Sequence, residues 1–219
     1  ELEGGVLNCI NSEVNATNCT FNSNQNIENN GAGAVNIEGG TFSDVNGSYS
    51  NNQTLSKGGA FYSEGAILTF SNTNFLSNQS VYQGGAIRTL DSNVTLVDTT
   101  FTSNTSTNNS GGAVYFENGN FSDTRGLYSQ NISVYQGGAV VLKNAQSQFT
   151  SLVFTGNQNS TTNGAGALYL TDSNLTVANC AFTSNSAAFQ GGAIIWEDSN
   201  GSILDSNFTE NVNTTSNGG

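Results

Sequence analysis

Sixteen carboxylates, four cations and three thiols are the side chains here most able to do acid–base or nucleophilic chemistry, and there is no histidine among the 219 residues. Without imidazole there is no Ser-His-Asp triad, no Cys-His nucleophile pair and no His-ligated zinc. Carboxylates alone could act in pairs on a glycan or share a Ca²⁺ ion. Glu38, Glu64, Glu117 and Glu197 recur at one position of a repeat, and Glu38 and Glu64 fall in neighbouring copies. No Arg or Lys gathers with them as lyase chemistry requires, and Lys143 offsets Glu117 one copy later, so the column reads as a solvated edge. No catalytic residue, metal or cofactor is expected. A net charge of -12 with only four Lys or Arg cannot neutralise many phosphates, which argues against a nucleic-acid partner. No run approaches the roughly 18 apolar residues of a membrane span.

The elements that must position any site come from an internal repeat. The Gly preceding a small residue in a Gly-Gly-Ala or Gly-Ala-Gly-Ala element falls at Gly5, Gly33, Gly59, Gly85, Gly112, Gly138, Gly166, Gly192 and Gly219, in steps of 26 to 28. An aromatic residue follows each of the first eight by 16 positions, and an Asn stands three further on. The aromatic residues are Phe21, Tyr49, Phe75, Phe101, Tyr128, Phe154, Phe182 and Phe208, and the Asn residues are Asn24, Asn52, Asn78, Asn104, Asn131, Asn157, Asn185 and Asn211. All length variation lies between that Asn and the next marked Gly, as expected of a coil whose other faces are held in register by stacking.

After each marked Gly the second and fourth positions are mostly apolar (Leu7 and Cys9, Val35 and Ile37, Val114 and Phe116, Leu168 and Leu170), which is the period of a strand with one face inward. Ser63 and Thr89 interrupt this pattern and are expected to bond to each other or to water. A second run lies seven and five residues before the aromatic residue, and Asn or Asp stands three before it in six copies, where a turn is expected. The ladder Asn is expected to form the next corner. These features predict an all-β fold: a parallel, right-handed, three-faced β-helix of eight coils of 26–28 residues, one array over 1–219 with neither end capped, a segment of a longer chain or of a filament. A leucine-rich repeat shares the period but not its Leu-x-x-Leu-x-Leu scaffold. Like should stack on like, aromatic on aromatic and Asn on Asn.

Gly84-Gly85-Ala86-Ile87, Gly137-Gly138-Ala139-Val140 and Gly191-Gly192-Ala193-Ile194, alternating with Phe75 to Asn78 and Phe182 to Asn185, resemble the paired motifs of the chlamydial polymorphic outer-membrane proteins. The resemblance implies a β-helical autotransporter passenger with a surface-adhesion role. Tyr49 and Tyr128 depart from the Phe of that pattern.

Fifteen Asn-x-Ser/Thr sequons occur. Asn93, Asn120, Asn174 and Asn200 each lie eight residues before the aromatic residue and should form one column; Asn108, Asn159 and Asn213 lie in polar loops; Asn15, Asn46 and Asn207 complete the candidate N-glycan carriers. Sequons at Asn52, Asn78, Asn104 and Asn131 fall on the Asn ladder and are expected to be internally bonded. Cys9 and Cys19 share the first coil at positions read as inward and could bridge it, whereas Cys180 lies six coils away from Cys19. Tyr62, Tyr115 and Tyr169, read as outward, could stack on sugars. The expectation is an extracellular or cell-surface structural glycoprotein, a rod in a fibre, stalk or coat. Its partners would be copies of itself end to end and covalent N-glycans. The alternative is an adhesin for carbohydrate or cell-surface ligands, and a polysaccharide-cleaving enzyme is less favoured.

Overall fold

The computed structural model describes residues 5–28, 30–161 and 163–215. The described residues contain strands and turns and no helix, in three parallel sheets. Each coil contributes a long run, a three-residue strand around the aromatic residue and a two-residue strand just after the ladder Asn. Leu7 pairs with Val35, Val35 with Phe61, and Ile87 with Val114, so each coil meets the next at the same repeat position. The chain is a three-faced parallel β-helix of about eight turns.

The runs before and after the sixth position from the marked Gly belong to one bent sheet. In five coils they are a single 11-residue strand, such as Leu7–Thr17 or Val114–Thr124, and elsewhere they split, as in Phe61–Glu64 and Ile67–Ser71. The bend has a local cause. Asn11, Gly39, Gly65, Asp91, Asn118, Asn144, Asp172 and Asp198 occupy that sixth position, and all have positive φ. Asn, Asp and Gly are the residues that enter the left-handed region at least cost.

The two other corners are equally regular. The residue three before the aromatic is left-handed in all eight coils, including Arg125 and Ser151, where the sequence offers no Asn or Asp. At the next corner the structure corrects the sequence reading. The left-handed residue is the one before the ladder Asn (Ser23, Asn51, Ser77, Ser103, Gln130, Gly156, Ser184, Glu210), not the Asn itself.

The marked glycines serve close approach. A Cβ on Gly112 would lie 2.0 Å from the Gly138 carbonyl oxygen, and one on Gly85 2.0 Å from that of Gly112. Successive coils touch backbone to backbone there, so no side chain fits. The Gly before it does a different job, with Gly84 and Gly111 at φ near 70°.

The core is a column of aromatic rings. From Phe21 through Tyr49, Phe75, Phe101, Tyr128, Phe154 and Phe182 to Phe208, successive centroids lie 4.7–4.9 Å apart with planes within 10°. The strand spacing sets the centroid separation, which is within the range of offset-stacked aromatic pairs. Phe42, Phe61 and Phe70 pack beside the column edge to face.

Phe101→Ala is expected to cost about 3–5 kcal/mol, because the two rings that sandwich it cannot collapse across a fixed coil spacing. Gly112→Ala should cost about 1–3 kcal/mol by overpacking. Urea unfolding of both variants checks these values, and wild-type midpoints would contradict the stacking account.

Candidate functional site

Beside the aromatic column, three residues further along each coil, runs the Asn ladder. Asn104 donates its backbone N–H and one Nδ2 hydrogen to Asn131 Oδ1 (both 3.0 Å), and its other Nδ2 hydrogen to the Phe75 carbonyl (3.0 Å). Its own Oδ1 accepts from the backbone N–H and Nδ2 of Asn78. The same pattern continues at Asn52, Asn78, Asn131, Asn157 and Asn185, all fully buried, and reaches Asn24 and Asn211 at the two ends. A carboxamide has two donors and two acceptor lone pairs, and here all four are used along the axis. The sequons at Asn52, Asn78, Asn104 and Asn131 therefore have their Nδ2 atoms committed inside the coil.

The other sequons separate by geometry. Asn93, Asn120, Asn174 and Asn200 lie in one register column on the outside of the bent sheet, exposed, with Gln146 between Asn120 and Asn174; Asn120 Nδ2 donates to Asn93 Oδ1 (2.8 Å) and Asn174 Nδ2 to Gln146 Oε1 (3.2 Å). Asn15, Asn46, Asn108 and Asn207 are exposed as well. Asn159 corrects the sequence reading, and Asn213 makes similar bonds without being buried. Asn159 is buried, with Nδ2 donating to the Val134 carbonyl (3.3 Å) and to that of Tyr135; Asn213 Nδ2 donates to the carbonyls of Phe189 and Gln190. Both amides bond to carbonyls of the neighbouring loop, but only Asn159 is buried there; Asn213, in the last coil, is half-buried and its bonds are exposed.

The cysteines do not bridge. Cys9, Cys19 and Cys180 are all free. The run from Ser12 to Thr17 and the corners at Asn11 and Asn18 stand between Cys9 and Cys19. Cys180 is buried, and burial pushes its thiol and that of Cys9 above the ordinary range.

Outside the first half of the bent sheet lies a second cluster that sequence reasoning took for open surface. Tyr62, Tyr115 and Tyr169 are nearly buried, Val141 fully so, and Ala165 packs with them. The loops before the Gly-Gly pairs fold over this face, so these rings are not free to stack on sugars. Arg88, only 3% exposed, binds Glu117 Oε2 (2.7 Å), lies 4.7 Å over the Tyr115 ring and takes Gln83 Oε1 at 3.1 Å. Lys143 reaches the other Glu117 oxygen (3.1 Å), so the charges run along the axis as Arg88, Glu117, Lys143. Tyr169 donates to Glu197, and Tyr62 to Glu64 (3.3 Å). Glu38 and Glu64 are register partners, but among the described residues no three acidic, His or Cys side chains converge as a metal would need. Ser63 and Thr89 are register partners that do not bond to each other; Ser63 Oγ meets Ser92 Oγ instead (3.5 Å).

Two buried carboxylates were missed. Asp44 and Asp123 occupy inward core positions at 0% exposure. Each stands five residues before the aromatic residue in the two coils whose aromatic residue is Tyr, and the stretches Phe42-Ser-Asp-Val-Asn-Gly-Ser-Tyr49-Ser and Phe121-Ser-Asp-Thr-Arg-Gly-Leu-Tyr128-Ser repeat this arrangement. Tyr128 donates to Asp123 Oδ2 (2.7 Å), and Thr73 Oγ1 of the next coil donates to Asp44 (3.0 Å). A Cβ at Gly47 or Gly126 would strike these carboxyl groups. At the position equivalent to Thr73, the coil after Asp123 has Leu152, which offers no hydroxyl. Burial pushes Asp123 up to about 7, the Tyr128 hydroxyl and the Thr124 backbone only partly opposing it; Asp44 is also raised by burial. The shared Asp-x-x-Gly-x-Tyr spacing was the signal available in the sequence.

Among the described residues no helix is long and apolar enough to cross a membrane. Residues 98–117 match the Chlamydia polymorphic membrane protein (Chlamydia_PMP) repeat. That stretch runs from the corner before Phe101, through Asn104 and Gly111-Gly112-Ala113-Val114, to Glu117. The matched segment thus holds one aromatic-Asn strand and one Gly-Gly-Ala element, the two parts that recur, the second also as Gly-Ala-Gly-Ala, along the chain, and the chain resembles a β-helical repeat of the polymorphic membrane protein type. No curated protein and no solved structure matches the chain.

The folded chain holds the Asp123 proton more tightly than the unfolded chain, where an Asp titrates near 4. Its contribution to stability is therefore largest below about pH 4, is lost as pH rises towards 7, and is constant above that. Asp123→Asn should gain on the order of 4 kcal/mol over wild type at pH 8 relative to pH 4, upper bound, with the Tyr128 bond retained. Urea midpoints at the two pH values check this, and parallel pH profiles for the two proteins would refute it.

Proposed function

We propose that this chain is a cell-surface or extracellular β-helical rod, a structural element of a fibre, stalk or coat that acts by holding its outer face extended and rigid. The observation that carries the reading is the Asn ladder. Every interior ladder amide is bonded on both sides along the axis, so each coil fixes the spacing of the next. The polymorphic membrane protein repeat supports surface association, and the lack of histidine in the sequence supports a non-enzymatic role. Copies stacked end to end would extend the same ladders, because each coil is already a template in register for its neighbour. N-glycans on the exposed column Asn93, Asn120, Asn174 and Asn200 would cover one side without unbonding the core.

Two measurements separate the parts of this proposal. Labelling of intact cells with a membrane-impermeant reagent should modify the chain before lysis; labelling only after lysis overturns the surface reading. Mass measurement before and after N-glycan release should show loss from the exposed column and none from Asn52, Asn78, Asn104, Asn131 or Asn159. An unmodified native chain removes the glycan sheath and leaves a bare rod.

A further inference from the structure

Along the corner just before the marked glycines, two kinds of loop alternate from coil to coil. The position three before the marked Gly reads Ser56, Tyr82, Asn109, Tyr135, Asn163, Phe189. Tyr82 is 43%, Tyr135 47% and Phe189 36% exposed, while the aromatic residues of the core column between the end coils have no exposure. Large aromatic side chains tend to go inward, as those of the column do, yet three stand out at one register position, two coils apart each time.

Their backbone is fixed. Tyr82 N–H donates to the Ser56 carbonyl and Tyr135 N–H to the Asn109 carbonyl (both 3.0 Å). The carbonyls of Tyr82, Tyr135 and Phe189 accept in turn from Ser106 Oγ, Asn159 Nδ2 and Asn213 Nδ2. The amides of Asn159 and Asn213 thus hold the aromatic loops in place. With one coil per 4.7–4.9 Å, the aromatic residues recur about every 9.6 Å. The strip is uncharged: the segments 79–83, 105–110, 132–136, 158–161 and 186–190 contain no acid or base in a chain of net charge -12. Amides and hydroxyls fill the intervals between the rings.

We infer that Tyr82, Tyr135 and Phe189 form a linear binding platform for a neutral, extended β-1,4-linked glycan. In such a polymer successive sugars are turned over, so the same C–H face recurs at every second sugar, and that interval is close to two coils of this rod. Each ring then stacks on an equivalent sugar face, the contacts add through the shared chain, and Asn and Gln side chains between them meet hydroxyls. The absence of charge along the strip excludes recognition by ion pairing and suits a neutral ligand. Asn108 is exposed on the coil between Tyr82 and Tyr135, so an N-glycan there would compete for the same strip. This inference does not depend on the scaffold reading above.

The test uses the full 219-residue chain produced without N-glycosylation, titrated calorimetrically with cellohexaose, chitohexaose, cellobiose and, as a curved α-1,4-linked control, maltohexaose. One β-linked hexaose is expected to bind at least about tenfold more tightly than cellobiose and maltohexaose, the difference expected from engaging further rings. Tyr135→Ala should weaken it about tenfold with an unchanged melting temperature, Tyr135→Trp should retain it, and the triple Ala variant should abolish it. Failure of both hexaoses to bind, equal binding of maltohexaose, or wild-type affinity in Tyr135→Ala overturns the proposal.

Discussion

One coil can lie on the next only if backbone hydrogen bonds run between them along the whole path, and this sets a rise close to 4.8 Å per coil. Everything else in the structure accommodates that distance. Flat aromatic rings can stack at it, which is why Phe101 lies between Phe75 and Tyr128 with its plane nearly parallel to both. Carboxamides can link at it, since an Asn side chain reaches the amide of its neighbour at the same spacing. At the marked glycines the carbonyl of one coil lies where a side chain of the other would begin, and only hydrogen can stand there.

The same constraint explains how a chain so rich in Asn, Ser and Thr keeps an ordered interior. A buried polar group is costly when unpaired and nearly neutral when paired. In the Asn ladder stacking supplies the partner, because the residue above is of the same type and oriented alike. The Asn ladder uses every donor and acceptor in this way. Asp44 and Asp123 are the charged-type residues outside this scheme, for no like residue lies above or below them: their register neighbours are Ala16 and Phe70, and Leu96 and Phe149. They depend on a hydroxyl from within the core. Where the next coil supplies Thr73 the carboxyl group is better served than where it supplies Leu152, and Asp123 is the one whose proton is held to about pH 7.

Outside the core the loops decide which surface is available. The aromatic side chains that look outward on the bent sheet, Tyr62, Tyr115 and Tyr169, are covered by those loops and by the Arg88–Glu117 pair. The aromatic side chains carried by the loops themselves, Tyr82, Tyr135 and Phe189, take the exposed place. Polar side chains from alternate coils fasten these loops, and Asn159 is drawn inward as a result.

The constant interval of 16 residues between the marked Gly and the aromatic residue, with Asn three further on, determined the coil, its register and its inward columns, because a stacked fold repeats in space whatever repeats in sequence. The bend at Asn11 and its equivalents was equally written there as an unbroken column of Asn, Asp and Gly. What the sequence could not fix was which polar side chains turn inward. Asn108 and Asn159 look alike as sequons in polar loops, and Tyr82 and Tyr115 look alike as tyrosines near a Gly-Gly pair. Their fates depend on whether a neighbouring coil leaves a backbone carbonyl to be met or a loop lies overhead. Those partners stand 24 or more residues away in the chain, and only the stacked structure brings them within bonding distance.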